Sequence, residues 1–221
     1  QKGQDYYLLG RIKYESDPNN VKYIYELAKQ AQVLKKDEEA VELWLKLLAK
    51  VESDRHSADY REIARISFGE PVVEIYMQLA GAYLDLERFD DALGAGRKAI
   101  ETPEPRNENI HVYAYCEIIA GSPDNALMAI DKLLQKNPDY IPAQMMKAIA
   151  LTLQGEKAKA LDIYQMLLKK GARITFNLHT LAKQFMLQGK RDKAGQMLDA
   201  LLDNRINDDE TARLKEELQK P

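Results

Sequence analysis

Alanine recurs at positions 92, 126, 160 and 194, each 34 residues after the last, and a second series at 80, 114, 148 and 182 keeps the same interval. A fixed period of this size belongs to chains built from stacked supersecondary units, each burying its apolar stripe only against its neighbours. The two series are offset by twelve residues, enough for the rest of one helix, a tight turn and the start of a second. Around Ala80, Leu79 and Tyr83 fall on the same helical face. Glycines 121, 155 and 189 also stand 34 apart, where the first helix of each pair must end and a left-handed residue caps it. Alanine at the two crossings lets helix axes approach to about 8 Å. Leucine at Ala148 or Ala160 is therefore expected to overpack the stack, at a cost of about 1–3 kcal/mol.

The unit Leu79-Ala80-x-x-Tyr83, then Ala92 and Ala99, returns in register. Residues 107–140 carry Ile110, Tyr113, Ala114, Gly121, Ala126, Ile130, Leu133 and Pro138; residues 141–174 carry Ala148, Leu151, Gly155, Ala160, Tyr164 and Leu167. Residues 175–208 carry Leu178, Leu181, Ala182, Phe185, Gly189, Ala194, Leu198 and Leu201, and an earlier unit, 21–52, has Ile24, Leu27, Ala28, Ala31, Ala40, Trp44 and Leu47. This pattern of large, small and aromatic positions resembles the tetratricopeptide repeat. The resemblance implies an all-α, right-handed superhelix of helix pairs and a non-catalytic protein-binding scaffold. Its repeats would be 21–52, 73–106, 107–140, 141–174 and 175–208. Residues 1–20 would form a partial repeat or N-terminal cap, with Tyr6, Tyr7, Leu8, Leu9 and Ile12 facing the array. Residues 209–221, with Leu214 and Leu218 among charges, would form a capping helix with a polar outer face.

Ala40 and Ala92 are 52 residues apart, 18 more than one period, so an inserted segment occupies 53–70. Ser57 or Asp59 can cap a short helix there bearing Tyr60, Ile63, Ala64 and Ile66, and Phe68-Gly69-Glu70-Pro71 reads as its stop and the next helix's start. Such a segment either lengthens a helix pair that still stacks or protrudes to contact a partner. Two positions depart from the family pattern. Lys147 stands in a large apolar slot, its stem expected to pack while the ammonium snorkels out. Gly96 replaces a bulky residue, and the oversized Tyr113 is expected to fill the hole.

With 45% hydrophobic residues, 30% charged residues and a net charge of −3, the composition is that of a soluble globular chain. No apolar run approaches the roughly 20 residues needed to span a bilayer. Gln1 at the first position reads as the start of a processed or trimmed product, which leaves cytoplasmic and periplasmic locations open. Residues 141–195 concentrate a local charge of +7, including Lys157, Lys159, Lys190, Arg191 and Lys193 near the turns. They make either a solvated edge or a docking edge for an acidic partner.

In tetratricopeptide proteins the first helices line a concave groove. The resemblance places Lys22, Tyr25, Lys29, Glu74, Met77, Gly81, Asp85 and Glu108 there, then His111, Tyr115, Ile119, Met145, Met146, Ile149, Leu153, Phe176, His179, Lys183 and Met186. From the third repeat onward the set is mostly apolar. The candidate partner-binding residues are Met77 and those from His111 to Met186, and an apolar or amphipathic peptide suits them. The alternative is a self-associating assembly unit whose groove or insertion binds another copy.

Other functions find less support. The clamp for chaperone C-terminal tails would need Lys, Asn, Asn, Lys and Arg where Tyr25, Lys29, Gln78, Glu108 and Val112 stand. RNA reading by similar helix-pair repeats would need a basic track along the groove. His111 and His179 repeat one groove position but lie two repeats apart, too far to share a metal ion. Gly94-x-Gly96 lacks the strand context of a nucleotide loop, and Cys116 reads as a small packing residue. No acid, base and nucleophile set assembles, so neither catalysis nor a cofactor is expected.

Overall fold

The structure, a computed structural model, describes residues 2–67 and 69–220. Among them it contains thirteen α-helices and no strand: α1 (Lys2–Ser16), α2 (Val21–Val33), α3 (Asp37–Val51), α4 (Ala58–Ile66), α5 (Pro71–Asp85), α6 (Phe89–Lys98), α7 (Asn107–Ala120), α8 (Pro123–Lys136), α9 (Ile141–Leu153), α10 (Lys157–Lys169), α11 (Ile174–Leu187), α12 (Arg191–Asp203) and α13 (Asp209–Gln219). They form two compact units, residues 1–116 and 117–221, with the boundary inside α7.

In the N-terminal unit α2 pairs with α3 and α5 with α6, and α3 packs directly on α5. In the C-terminal unit α9 pairs with α10 and α11 with α12, while α8 packs on α9. Ala28, Ala40, Ala80, Ala92, Ala114, Ala126, Ala148, Ala160, Ala182 and Ala194 are all buried at the crossings. Ala148 has no accessible surface, so Ala148→Leu should lower the melting temperature by an amount equivalent to about 1–3 kcal/mol. Ala160 lines a recess into which a leucine can extend, so the same change there should cost less.

The turns between paired helices share one device. The first helix closes with a backbone bond from the residue after the left-handed position back to the helix: Lys36 N to Ala31 O (2.9 Å), Arg88 N to Tyr83 O (2.9 Å), Ser122 N to Glu117 O (2.8 Å), Glu156 N to Leu151 O (2.9 Å) and Lys190 N to Phe185 O (2.8 Å). This is the Schellman closure. Gly121, Gly155 and Gly189 fill the left-handed position at φ 97°, 81° and 68°, but Lys35 and Glu87 occupy it in the first two pairs at φ 57° and 59°. A side chain there costs roughly 1–2 kcal/mol, partly offset by the lower unfolded-state entropy of a non-glycine residue. Glu87→Gly is therefore expected to stabilise the N-terminal unit by about 0.5–1 kcal/mol, measured as a higher urea midpoint.

The extra segment does not lengthen a helix pair. It folds as a separate helix, α4, packed on α2, α3 and α5 while α3 still meets α5. Ser57 caps α4, its hydroxyl accepting from Tyr60 N at 3.0 Å, and Ile63 is fully buried. The Tyr60 hydroxyl donates to Glu70 (2.8 Å), whose other carboxylate oxygen accepts from Val73 N (2.7 Å) as the cap of α5. One carboxylate thus ties α4 to the start of the next pair. Phe68, read as part of the stop, lies outside the described residues; Gly69 sits at φ 119°.

Three packing details correct or refine the sequence reading. Helix α1 turns Tyr7 inward but leaves Tyr6, Leu8, Leu9 and Ile12 more than half exposed. Its packing face is instead Gly3, Tyr7, Gly10 and Tyr14, spaced as one helical stripe. A Cβ at Gly10 would collide with Gln30 and meet Leu27, so the closest approach goes to the small residue and the bulkier apolar ones rotate away. Around Gly96, a Cβ would meet Cys116 Sγ at 3.4 Å and the Tyr113 Cα at 3.5 Å. Cys116 and the α7 backbone at Tyr113 are thus the nearest neighbours of that space. Lys147 is half-buried and its ammonium reaches Asp131 at 2.7 Å, so the stem packs while the charge stays paired.

Candidate functional site

In the N-terminal unit the first helices α2 and α5 and the start of α7 bring together a polar cluster. Glu74, 2% exposed, accepts from Arg106 Nη2 at 2.6 Å and from Gln78 Nε2 at 2.8 Å. Arg106 Nε donates to the buried Asn109 Oδ1 at 3.3 Å. Tyr25 packs edge-on against Trp44, ring centroids 5.4 Å apart, with Lys29 Nζ 5.3 Å from its ring centre. Burial, then the Glu74 charge, push the Tyr25 phenol up to about 12 against the opposing effect of Arg106. Three atoms on these helices have no partner although they are shielded from solvent: Tyr25 Oη, Asn109 Nδ2 and His111 Nδ1. A buried polar atom without a bond costs about 1–3 kcal/mol, and a ligand that supplies one recovers it.

Burial lowers the His111 pKa below its ordinary value, more than the nearby Glu108 raises it. The unfolded chain therefore binds more protons as pH falls below the ordinary histidine range. His111 favours the folded state above that range and weakens it as pH drops through it. The urea midpoint of the N-terminal unit should thus fall less between pH 7 and pH 5 in His111→Gln than in the parent. Identical pH slopes would exclude this contribution.

In the C-terminal unit the predicted residues separate by depth. Ile119, Met145, Met146 and Ile149 are buried in the core, at 0%, 4%, 1% and 0% exposure. Leu153 and Met186 are half-buried, as are Met77, His111 and Tyr115 of the other unit. Burial raises the Tyr115 phenol above its ordinary value. Phe176 is 70% exposed.

His179 and Lys183 are engaged by the chain's own last helix. His179 Nε2 lies 2.8 Å from Thr211 Oγ1, and Thr211 donates its single hydroxyl proton to Asp208, so the imidazole nitrogen is the donor. Lys183 pairs with Glu210 at 2.5 Å, and Arg213 with Lys183 holds that carboxylate down at about 2. Helix α13 thus occupies two positions predicted to meet a ligand. Helix α13 packs on both α11 and α12 and so covers that face.

The basic stretch is largely spent within the fold. Lys190 Nζ donates to the carbonyls of Ile119 (2.9 Å) and Ala120 (3.3 Å), and Lys193 to that of Gly121 (3.4 Å). These carbonyls lie in the last turn of α7 and at the residue just after it, the end of a helix where cations are favoured. Lys159 pairs with Glu156 and Lys170 with Asp139.

Reasoning from the sequence missed Arg106 and Asn109, because only one repeat carries them and periodicity is blind to a single occurrence. The one usable signal was Glu74, a carboxylate among the apolar residues of α5. Among the described residues no cluster of three or more His, Cys, Asp or Glu side chains could hold a metal ion, and no helix is long and apolar enough to cross a membrane.

Paired antiparallel helices, Schellman turns and buried alanine crossings at a 34-residue interval define a tetratricopeptide-repeat fold. Solved structures agree. The chain is similar to YrrB, described as a tetratricopeptide protein with an unusual peptide-binding site, at 14% identity and TM-score 0.56 over 94% of this chain and 97% of that one. It is similar to a tetratricopeptide repeat protein from Parabacteroides merdae (18%, TM-score 0.61, 94% and 74%) and to PilF from Pseudomonas aeruginosa (16%, TM-score 0.57, 97% of each). At such identities the likeness is one of fold. No protein-family model and no curated protein sequence matches the chain.

Proposed function

We propose that this chain is a non-catalytic protein-binding scaffold that holds an apolar or amphipathic segment of a partner on its first-helix faces. The observation that carries the reading is Phe176, an aromatic side chain 70% exposed on a first helix, where burial of a large apolar group gives about 1.5–3 kcal/mol to a ligand. Leu153 and Met186 are half-buried residues at neighbouring register positions of the same unit, and methionine adapts to varied apolar shapes. The similarity to a peptide-binding tetratricopeptide protein supports this reading.

The test is affinity capture with the parent and with Leu153, Phe176 and Met186 changed to Ser, all at least partly exposed. The variant should lose the captured partner while keeping its helical circular dichroism. Undiminished capture by the folded variant places binding elsewhere.

A second reading, self-association, is favoured by α1, which leaves Tyr6, Leu8, Leu9 and Ile12 exposed. Light scattering at two concentrations separates the two: a mass that rises with concentration in the parent but not in Leu9→Lys, Ile12→Lys supports it, and a constant monomer mass removes it.

A further inference from the structure

Between α10 and α12 of the C-terminal unit lies a recess of about 440 Å³ of atom-free space, partly open to solvent, which no step of the peptide-binding reading uses. Its walls are mostly apolar, formed in part by Ala160, Leu161 and Ala200. Its polar groups are mainly acceptors. Gln196 Oε1 and Asn204 Oδ1 are shielded from solvent and have no partner. The Asn204 amide is oriented, because its Nδ2 donates to Ala200 O at 2.8 Å; flipping it would set two oxygens against each other.

Asp199 and Asp203, one helical turn apart on α12, add two carboxylates. Asp199 Oδ1 already accepts from Lys215 at 2.6 Å, whereas Asp203 is exposed. Thr152 Oγ1 and Tyr164 Oη, 3.2 Å apart, complete the polar lining together with Lys157. Thr152 donates to Ala148 O, which leaves its oxygen an acceptor.

Ammonium and guanidinium are the cationic side-chain groups that donate hydrogen bonds and accept none, and so suit acceptors beside a carboxylate. We infer that this recess is a binding site for a guanidinium or ammonium group on an aliphatic stem, the stem lying along the apolar wall and the cation meeting the exposed Asp203 carboxylate, with the Asn204 side chain turning its shielded oxygen toward it. Lys157 is the opposing charge, and it sets a direction: removing it should tighten binding. The site lies mainly on the second helices α10 and α12 and uses none of Leu153, Phe176 and Met186, so its failure would leave the first-helix proposal untouched.

The full chain is titrated, with amide resonances followed by nuclear magnetic resonance, using agmatine as a free guanidinium and a capped Gly-Arg-Gly peptide as the side-chain source. Saturable shifts are expected at Thr152, Tyr164 and Asn204, about tenfold weaker affinity in Asp203→Asn and in Asn204→Leu, and tighter binding in Lys157→Gln. Binding of agmatine alone assigns the site to a free small cation; binding of both ligands, or of the peptide alone, assigns it to an arginine or lysine of a partner. No shift at these residues with either ligand in large excess overturns the inference, as does equal affinity in Asp203→Asn. Asp203 is exposed, so that variant decides the matter even where Asn204→Leu fails to fold.

Discussion

Arg106→Ala should destabilise the N-terminal unit by about 3 kcal/mol, near the low end for breaking a buried ion pair because the Arg106 side chain is itself 34% exposed. The change strands Glu74, 2% exposed, with Gln78 as its remaining donor, and removes the bond to Asn109 Oδ1. Trp44, the only tryptophan of the chain, is fully buried in the same unit, so its fluorescence reports this unit's urea transition without a signal from the other. The double variant Glu74→Met, Arg106→Leu should recover most of the loss, since an apolar pair of similar volume avoids desolvating two charges. An unchanged midpoint in Arg106→Ala would show that the pair contributes nothing net to folding. A double variant as unstable as the single would point instead to a packing requirement at these positions.

Ile149→Ala should destabilise the C-terminal unit by about 2–5 kcal/mol, while Phe176→Ala should change its stability by no more than about 0.5 kcal/mol. Both residues fall on the surface that the repeat pattern assigns to a ligand. The structure separates them: Ile149 has no accessible surface and Phe176 is 70% exposed. Deleting the buried side chain leaves a cavity that neighbours relax into only partly; deleting the exposed one leaves water. Chemical denaturation followed by circular dichroism, with the Trp44 transition as an internal reference, measures both. Similar losses in the two variants would mean that Phe176 packs against the protein in solution, and the first-helix proposal would lose its anchor.

The same contrast shows how far the sequence can be read. Helix-pair spacing, the crossings at Ala80, Ala92, Ala148 and Ala160, the glycine closures at 121, 155 and 189 and the Ser57 cap are local or periodic, and each follows from chemistry within a few residues. The face that α1 turns inward was not legible. Tyr6, Leu9 and Ile12 are the more apolar choice, but Gly10 permits the closest backbone approach, and that preference exists only once α2 is beside it. The polar cluster was hidden for a related reason. Glu74 and Arg106 are 32 residues apart; the carboxylate stands out among apolar neighbours but nothing local marks Arg106 as its partner, and only folding brings the two together.

What the sequence by itself determined is the class of architecture: a 34-residue interval written in small residues admits helix pairs stacked through close crossings, because any bulkier choice at those positions would hold the axes apart. What the tertiary structure alone decided is which residues of the predicted surface remain to meet another molecule. Ile119, Met145, Met146 and Ile149 sink into the core, His179 and Lys183 bond to α13, and Phe176 stays exposed. Depth is set by how neighbouring helices rotate and by what covers the last pair, and those are properties of packing between segments distant in the chain.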